Sequence, residues 1–437
     1  MNPHDAFLQE ILARPDDDIP RLIYADWLEE QGDIRCELIR VQCAVWGMED
    51  HHPDFHRLRK RELSLLRRHK TSWLGPIAKM TFEAKFHRGF VQEITLGARQ
   101  FLNHQETLFN LAPIRRVNLS RLTVDTAREM AETQNLHRLG ELRLAGGGMT
   151  GRITERLFSS PHWSQLRRLI WRGVLDPLAH AGLVEALGRL PLETFALEGV
   201  YLGERHAQLF QAIAPNPTVQ RLDLSGAGLG VEGAGYLAST PCLVNLRELN
   251  LAHNLIEDEG LQRLAESPHV QQLESLDLTN NTLRGEGLRR LLATLQTPRL
   301  MRLNLAQNPL FPEAIALLTT SPALERLEHL KLNHVVVGDD TALRRILENA
   351  SLVTLRLSGC RVGDAAVREL AKTPNAAKLR LLDLGDNRLT DEAADALLAS
   401  PHLERLTRLD LRYNRIGRDR QRALRRRFGR GVCVFSR

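Results

Sequence analysis

Leu246-Arg-Glu-Leu-Asn-Leu-Ala-His-Asn254 returns 27 residues later as Leu273-Glu-Ser-Leu-Asp-Leu-Thr-Asn-Asn281. Within each stretch the alternation Leu249-x-Leu251, or Leu276-x-Leu278, has the two-residue period of a strand. Both leucines then point to one side and Asn250 to the other. A helical spacing follows, with Ile256, Leu261 and Leu264 in the first unit and Leu283, Leu288 and Leu291 in the second. Prolines at 268, 298, 322, 374 and 401 stand where such helices must stop and the chain must return to the next strand.

Working outward, the pattern L-x-x-L-x-L occurs thirteen times. Its second apolar residue falls at Ile94, Val117, Leu142, Leu169, Phe195, Leu222, Leu249, Leu276, Leu303, Leu330, Leu355, Leu382 and Leu409, at intervals of 23 to 27 residues. One coil cannot bury both its strand and its helix leucines, whereas stacked coils can. The expected fold is α/β: a curved parallel sheet inside, helices outside. Thirteen strands at about 4.8 Å spacing make a sheet roughly 60 Å long.

The asparagine closing the motif recurs at Asn254, Asn281, Asn308, Asn387 and Asn414, with Cys360 in the same place. On these residues the chain resembles the leucine-rich-repeat family, in its longer, helix-containing, ribonuclease-inhibitor-like class. Leu122, Gly147, Val174, Val200, Ala227 and Val335 depart from the pattern. At the far end, Ala423, Leu424 and Phe428 on a helix, then Val432, Val434 and Phe435 as a short strand, are expected to close the exposed edge of the stack.

Residues 1 to about 85 lack the repeat and read as helices. Phe7, Ile11 and Leu12 share one face; Pro20 opens a second helix closed by Gly32; a third runs from Arg35 to Trp46 and a fourth from Pro53 to His69. The run Phe7 to Ile11, Pro15-Asp-Asp-Asp-Ile-Pro20 through Tyr24, Asp26, Trp27, Leu28 and Gly32-Asp33, then Glu37-Leu-Ile-Arg40-Val-Gln42, resembles a bacterial repeat-companion domain over about 45 residues. That resemblance implies a bacterial source and no defined activity. The expected organisation is a helical domain and connecting helix at 1–85, the repeat array at 86–414 and a basic cap at 415–437.

The 437 residues carry a net charge of +6, yet nine arginines after residue 414 oppose only Asp419, so the rest of the chain is slightly acidic. A second basic run lies between Arg57 and Lys70, reading as the solvated face of a helix with Leu58, Leu65 and Leu66 beneath. The opening residues lack a basic, then apolar signal pattern, and no apolar run of about 18 residues occurs, so a cytoplasmic protein is expected. Five cysteines without CxxC spacing suit free thiols.

Three motifs tempt toward chemistry, and each has a structural explanation. Gly228-Leu-Gly-Val-Glu-Gly233 matches a dinucleotide fingerprint, but Gly233 holds the repeat position of Gly260 and Gly287. His51, His52 and His56 straddle Pro53, which marks a helix start more than a metal site. Asp16, Asp17, Asp18 and Asp26 suggest a cation site, but the acidic run precedes the helix that starts at Pro20, where carboxylates near the N-terminus are favourable. No catalytic residue, cofactor or metal ligand is assigned.

The outward strand positions define the candidate site: Arg221, Asp223, Glu248, Asn250, Asp277, Arg302, Asn304, His329, Lys331, Arg356, Arg408 and Asp410, with Arg412 and Tyr413 beyond. Mixed charge with Arg and Tyr anchors suits a protein partner better than a phosphate backbone, which favours a basic stripe. The expectation is a monomeric, non-catalytic scaffold binding a protein on a concave face. The alternatives are nucleic-acid binding through the arginine-rich cap and helix 57–70, or inhibition or regulation of an enzyme.

Overall fold

The computed structural model describes residues 2–146, 150–173, 187–202, 206–213, 216, 218–241, 244–295, 299–321, 325–337, 342–349 and 351–435. The expectations on Gly147, Val174, Cys242, Pro298 and Pro322 lie outside the described residues. The chain divides into two units, residues 1–50 with 54–198, and residues 51–53 with 199–437.

The first unit begins with helices α1 (Pro3–Ala13), α2 (Ile19–Glu30), α3 (Arg35–Val45), α4 (Phe55–Leu74) and α5 (Ile77–Met80). Ile11, Tyr24, Ala25, Leu28, Cys36 and Ile39 pack together on Phe90, so the helices share a core with the first strands. Pro20 sits in the first turn of α2, where its missing N–H costs nothing. The acidic run before it is structural: Asp17 Oδ1 accepts from Ile19 N at 2.9 Å, and Asp16 and Asp18 pair with Arg115 and Arg88 at 3.1 and 3.2 Å.

Six strands follow in chain order: β1 (Glu83–His87), β2 (Phe90–Gly97), β3 (Arg116–Ser120), β4 (Glu141–Ala145), β5 (Arg168–Arg172) and β6 (Thr194–Glu198). All pair in parallel from β2 onward, in the register Ile94, Val117, Leu142, Leu169, Phe195. Strand β1 is the addition that the repeat pattern does not announce. It forms an antiparallel hairpin with β2, so the outermost strand is not a bare repeat edge. Its two-residue turn needs positive φ at Arg88 (51°) and Gly89 (83°), and a Cβ on Gly89 would stand 2.1 Å from Ile39 Cγ1.

The second unit holds nine strands among its described residues: β7 (Arg221–Asp223), β8 (Glu248–Asn250), β9 (Ser275–Asp277), β10 (Arg302–Asn304), β11 (His329–Lys331), β12 (Thr354–Arg356), β13 (Leu381–Asp383), β14 (Arg408–Asp410) and β15 (Cys433–Val434). Leu222, Leu249, Leu276, Leu303, Leu330, Leu355, Leu382 and Leu409 face one another across successive parallel pairs, each at most 2% exposed. The short β15 pairs with β14, as the closing segment leads one to expect.

Strands β7–β14 are three residues long, against five to eight for β2–β6, and the buried asparagines accompany the difference. Asn281 is wholly buried; its Nδ2 donates to Leu251 O (2.8 Å) and Thr279 O (3.2 Å), and its Oδ1 accepts from Asn254 N (3.1 Å) and Ile256 N (3.4 Å). Each such asparagine thus satisfies amides of the preceding coil that have turned away from the strand ladder. The bend forces left-handed φ on its neighbours, His253 and Leu255, Asn280 and Thr282, Asp386 and Arg388. Cys360 substitutes through its thiol, 2.9 Å from Leu332 O.

The helices stack beside the strands. Ile256, Leu261, Leu264, Leu283, Leu288 and Leu291 are fully buried, as their spacing predicts. The recurrent glycine permits close approach: a Cβ on Gly287 would lie 2.7 Å from Asp258 O, and one on Gly260 3.1 Å from Ala234 Cβ. Asp258 also reaches across the repeat, its Oδ1 accepting from Gly285 N (3.1 Å) and Gly287 N (3.0 Å) where the next helix starts. Pro268 and Pro374 open short 3₁₀ turns that return the chain to β9 and β13.

Candidate functional site

Flanking the inward leucine, strands β7–β14 carry two rows of side chains, solvent-facing over β7–β11 and buried at Thr354, Leu381, Asp383 and Asp410. The first row reads Arg221, Glu248, Ser275, Arg302, His329, Thr354, Leu381 and Arg408; the second Asp223, Asn250, Asp277, Asn304, Lys331, Arg356, Asp383 and Asp410. The fourteen residues singled out from the sequence all lie along these rows or just past them. All belong to the second unit.

The two rows do different work. In the second row, Asp223, Asn250, Asp277 and Asn304 each turn one side-chain oxygen back to the backbone N–H two residues on, at 2.9 to 3.2 Å. These bonds end the strand. Their remaining atoms pair between neighbours: Asn250 Nδ2 donates to Asp223 (2.8 Å) and Asn304 Nδ2 to Asp277 (2.7 Å). The side chains are half-buried and partly committed. Sequence reading treated them as open contact positions; the missed signal is Asp or Asn at a strand end with a small residue two positions later.

In the first row Glu248 is flanked by Arg221 at 3.2 Å and Arg302 at 3.1 Å. All three remain more than one-third exposed, so the pairs add little stability and stay accessible. His329 is shielded on one side by the segment His51–Pro53: the His51 ring lies 5.6 Å away, and the His51 carbonyl accepts from Thr407 Oγ1 at 2.7 Å. Lys331 and Arg356 are half-buried.

Toward the last strands, Asp383 and Asp410 stand side by side, both nearly buried. Burial pushes the Asp383 carboxyl above its usual range, with Asp410 adding repulsion and Arg356 and Arg412 opposing it. Asp410, only 2% exposed, holds Arg412 at 2.8 Å and Arg408 at 3.5 Å. Here the exposed charge is that of Arg412 and, in part, Arg408, and not Asp410. Tyr413, 71% exposed at φ 57°, projects from the next turn.

The remaining features resolve structurally. Gly228 and Gly230 have φ near +60°, and a Cβ on Gly228 would meet the Tyr201 ring at 2.3 Å, so a close turn accounts for them. Helix α4 starts at Phe55, leaving His52 outside it and off any helical face shared with His56. Cys36, Cys43, Cys360 and Cys433 are free thiols. Burial raises Cys43 and Cys360 to about 12 and Cys433 to about 11, far from a reactive thiolate. In the terminal helix Arg418–Phe428, Arg420 pairs with Asp395, Arg422 with Asp419, and Arg427 donates to Ser400 O. In α4, Arg57, Arg59 and Arg61 pair with Asp54, Glu62 and Glu37. No helix among the described residues is long and apolar enough to cross a membrane.

The family model described as Leucine Rich repeat matches residues 216–238, 243–265, 271–292, 348–371 and 375–398. Among solved structures, a chain from the complex of Rad7 and Elc1 in yeast is 17% identical with a TM-score of 0.54, over 77% of this chain and 86% of that one. An internalin from Listeria monocytogenes is 14% identical (TM-score 0.41; 79% and 87% covered), and a leucine-rich-repeat protein of Leptospira interrogans 18% identical (0.33; 79% and 90%). No curated protein matches the chain. The buried leucine register, the asparagine turns and the matched segments agree: this chain carries leucine-rich repeats and has the mixed α/β, parallel-stranded fold of a solenoid built from them.

Proposed function

We propose that the chain is a non-catalytic scaffold that binds a protein partner on the strand face of its second unit, the concave face of the array. The observation that carries this reading is the exposed row Arg221, Glu248 and Arg302, continued by Arg408, Arg412 and Tyr413. Arg and Tyr anchors presented by strands, and by the turn after β14, over a packed core lose little freedom on binding. Both charge signs lie within one row, which suits a partner with complementary charges and gives specificity more than bulk affinity. The solved yeast relative belongs to a complex of two proteins, in keeping with such a role.

The finer assignments belong to the same proposal. The prevailing 27-residue period, and the helices that alternate with the strands, support a ribonuclease-inhibitor-like class for the repeats. Residues 1–85 make a repeat-companion domain of bacterial type, 86–414 the array and 415–437 a basic cap, in a monomer of the cytoplasm. The test is capture of binding proteins by the full chain and by the charge reversals Glu248→Arg and Arg302→Glu, followed by mass spectrometry. Loss of the same captured protein in both variants is the expected result; unchanged capture removes the strand face as the contact surface.

A further inference from the structure

A different region, in the first unit and independent of the scaffold reading, has more hydrogen-bond donors than acceptors. The turn Trp46-Gly47 after α3 separates two clefts of about 500 and 420 Å³, and Arg88 and Arg116 border both. The larger adds Arg59, Lys70, Lys85 and His87, with Glu62 as its one acid; the smaller adds Arg115, Arg167 and Arg168, with Asp16 and Glu141.

Some of these cations are spent. Lys85 pairs with Glu93 and Arg59 with Glu62, both at 2.7 Å. Arg88 donates to the carbonyls of Pro15 and Asp16 at 3.0 and 2.9 Å, and Arg115 is tied to Asp16 and to Arg138 O. Arg167 donates to Ser164 O at 3.1 Å, and His87 lies 3.4 Å from Glu93. Arg116 and Arg168 are less well matched. Glu141, 3% exposed, gives its one short bond to Arg143 (2.6 Å), leaving Arg116 and Arg168 at 3.6 and 3.7 Å, beyond hydrogen-bond distance. Three guanidinium groups thus share one carboxylate.

Arg116 lies 5.1 Å over the Trp46 ring, and burial, together with the nearby Arg168 and Arg143 charges, holds it below its usual range. The Lys70 ammonium makes no hydrogen bond or ion pair among the described residues, and the 2% exposed Gln92 presents an amide nitrogen without an acceptor. Clustered like charges and unmatched donors cost stability unless something supplies negative charge and acceptor oxygens.

We propose that the paired clefts around Trp46 bind a small phosphate-bearing ligand, of which pyrophosphate is the minimal form. A phosphoryl group offers three or more acceptor oxygens and more than one negative charge, whereas a carboxylate offers two oxygens and one charge. The under-matched guanidinium groups of Arg116 and Arg168 suit the former. The clefts are of ligand size, and the basic residues converge on a single turn instead of tracking along a surface as a polymer backbone requires.

The test is isothermal titration calorimetry of the full chain in 150 mM-range salt with pyrophosphate, orthophosphate and an eight-residue oligothymidylate, on wild type and on Lys70→Gln, Arg168→Gln and Arg289→Gln. Arg289 is a control, an exposed residue paired with Glu286 in the second unit. Saturable one-to-one pyrophosphate binding is expected, weaker for orthophosphate, and weakened about tenfold or more by Lys70→Gln and by Arg168→Gln but not by the control. Circular dichroism melting checks that the variants are folded. Absence of saturable pyrophosphate binding, an equal loss in the control, or oligothymidylate binding tighter than pyrophosphate overturns the proposal.

Discussion

Replacing Asn281 by alanine tests the asparagine ladder where its geometry is most complete. In the native chain the backbone amides of Asn254 and Ile256 have the Asn281 side-chain oxygen as their acceptor, and the residue is fully buried. The carbonyls it serves keep other donors: Leu251 O retains Asn254 Nδ2, and Thr279 O retains His253 N. The truncation therefore strands two buried amides. At about 1 to 3 kcal/mol for each unsatisfied group, the loss is roughly 2 to 6 kcal/mol. Asn281→Cys, the exchange already present at Cys360, is expected to lose less, because a thiol sulfur offers a weak donor and acceptor in the same place. Urea denaturation followed by circular dichroism gives the global loss. Hydrogen exchange of peptides spanning residues 252–257 gives the local one, with the Asn254 and Ile256 amides losing protection first. Stability within about 0.5 kcal/mol of wild type, with unchanged exchange there, would refute the assigned role of the ladder.

Leu276→Ala, between Leu249 and Leu303 in the buried register, is expected to destabilise by about 2 to 5 kcal/mol in the same urea assay. Gly287→Ala places a methyl group 2.7 Å from Asp258 O and is expected to cost about 1 to 3 kcal/mol. Gly97→Ala, with nothing within 4 Å, is expected to stay within about 0.5 kcal/mol of wild type. The Asp383 carboxyl titrates higher in the folded than in the unfolded chain, so its contribution is favourable at low pH and lost as pH rises through the folded value. Asp383→Asn, which keeps an oxygen for Gly385 N, should accordingly stabilise at pH 7 and lose that advantage as pH falls to about 4, near the unfolded aspartate value; thermal melts across that range read the effect.

The interior was legible because its signal is periodic. Ile94 through Phe195, and Leu222 through Leu409, fall opposite one another because a buried strand position tolerates only apolar side chains of similar size. Strand β1 was not legible: Glu83–His87 has no repeat partner, and its pairing depends on a left-handed Arg88-Gly89 turn pressed against Ile39, a contact distant in sequence. The face was half legible. Alternation placed Asp277 and Asn304 on the solvent side, but it could not separate a side chain offered to a partner from one folded back onto its own strand end. The cleft beside Trp46 escaped because its arginines come from separate strands. The Arg115-Arg116 and Arg167-Arg168 pairs at the starts of β3 and β5 were the only local trace.

The central functional claim is that recognition happens on the strand side and not on the helices. A photo-crosslinking amino acid placed at Ser275 in β9, and separately at the exposed Arg290 on the helix Glu286–Thr294, compares the two directly. The account predicts a discrete crosslinked protein from position 275 and none from position 290. The same product from position 290 alone would contradict it.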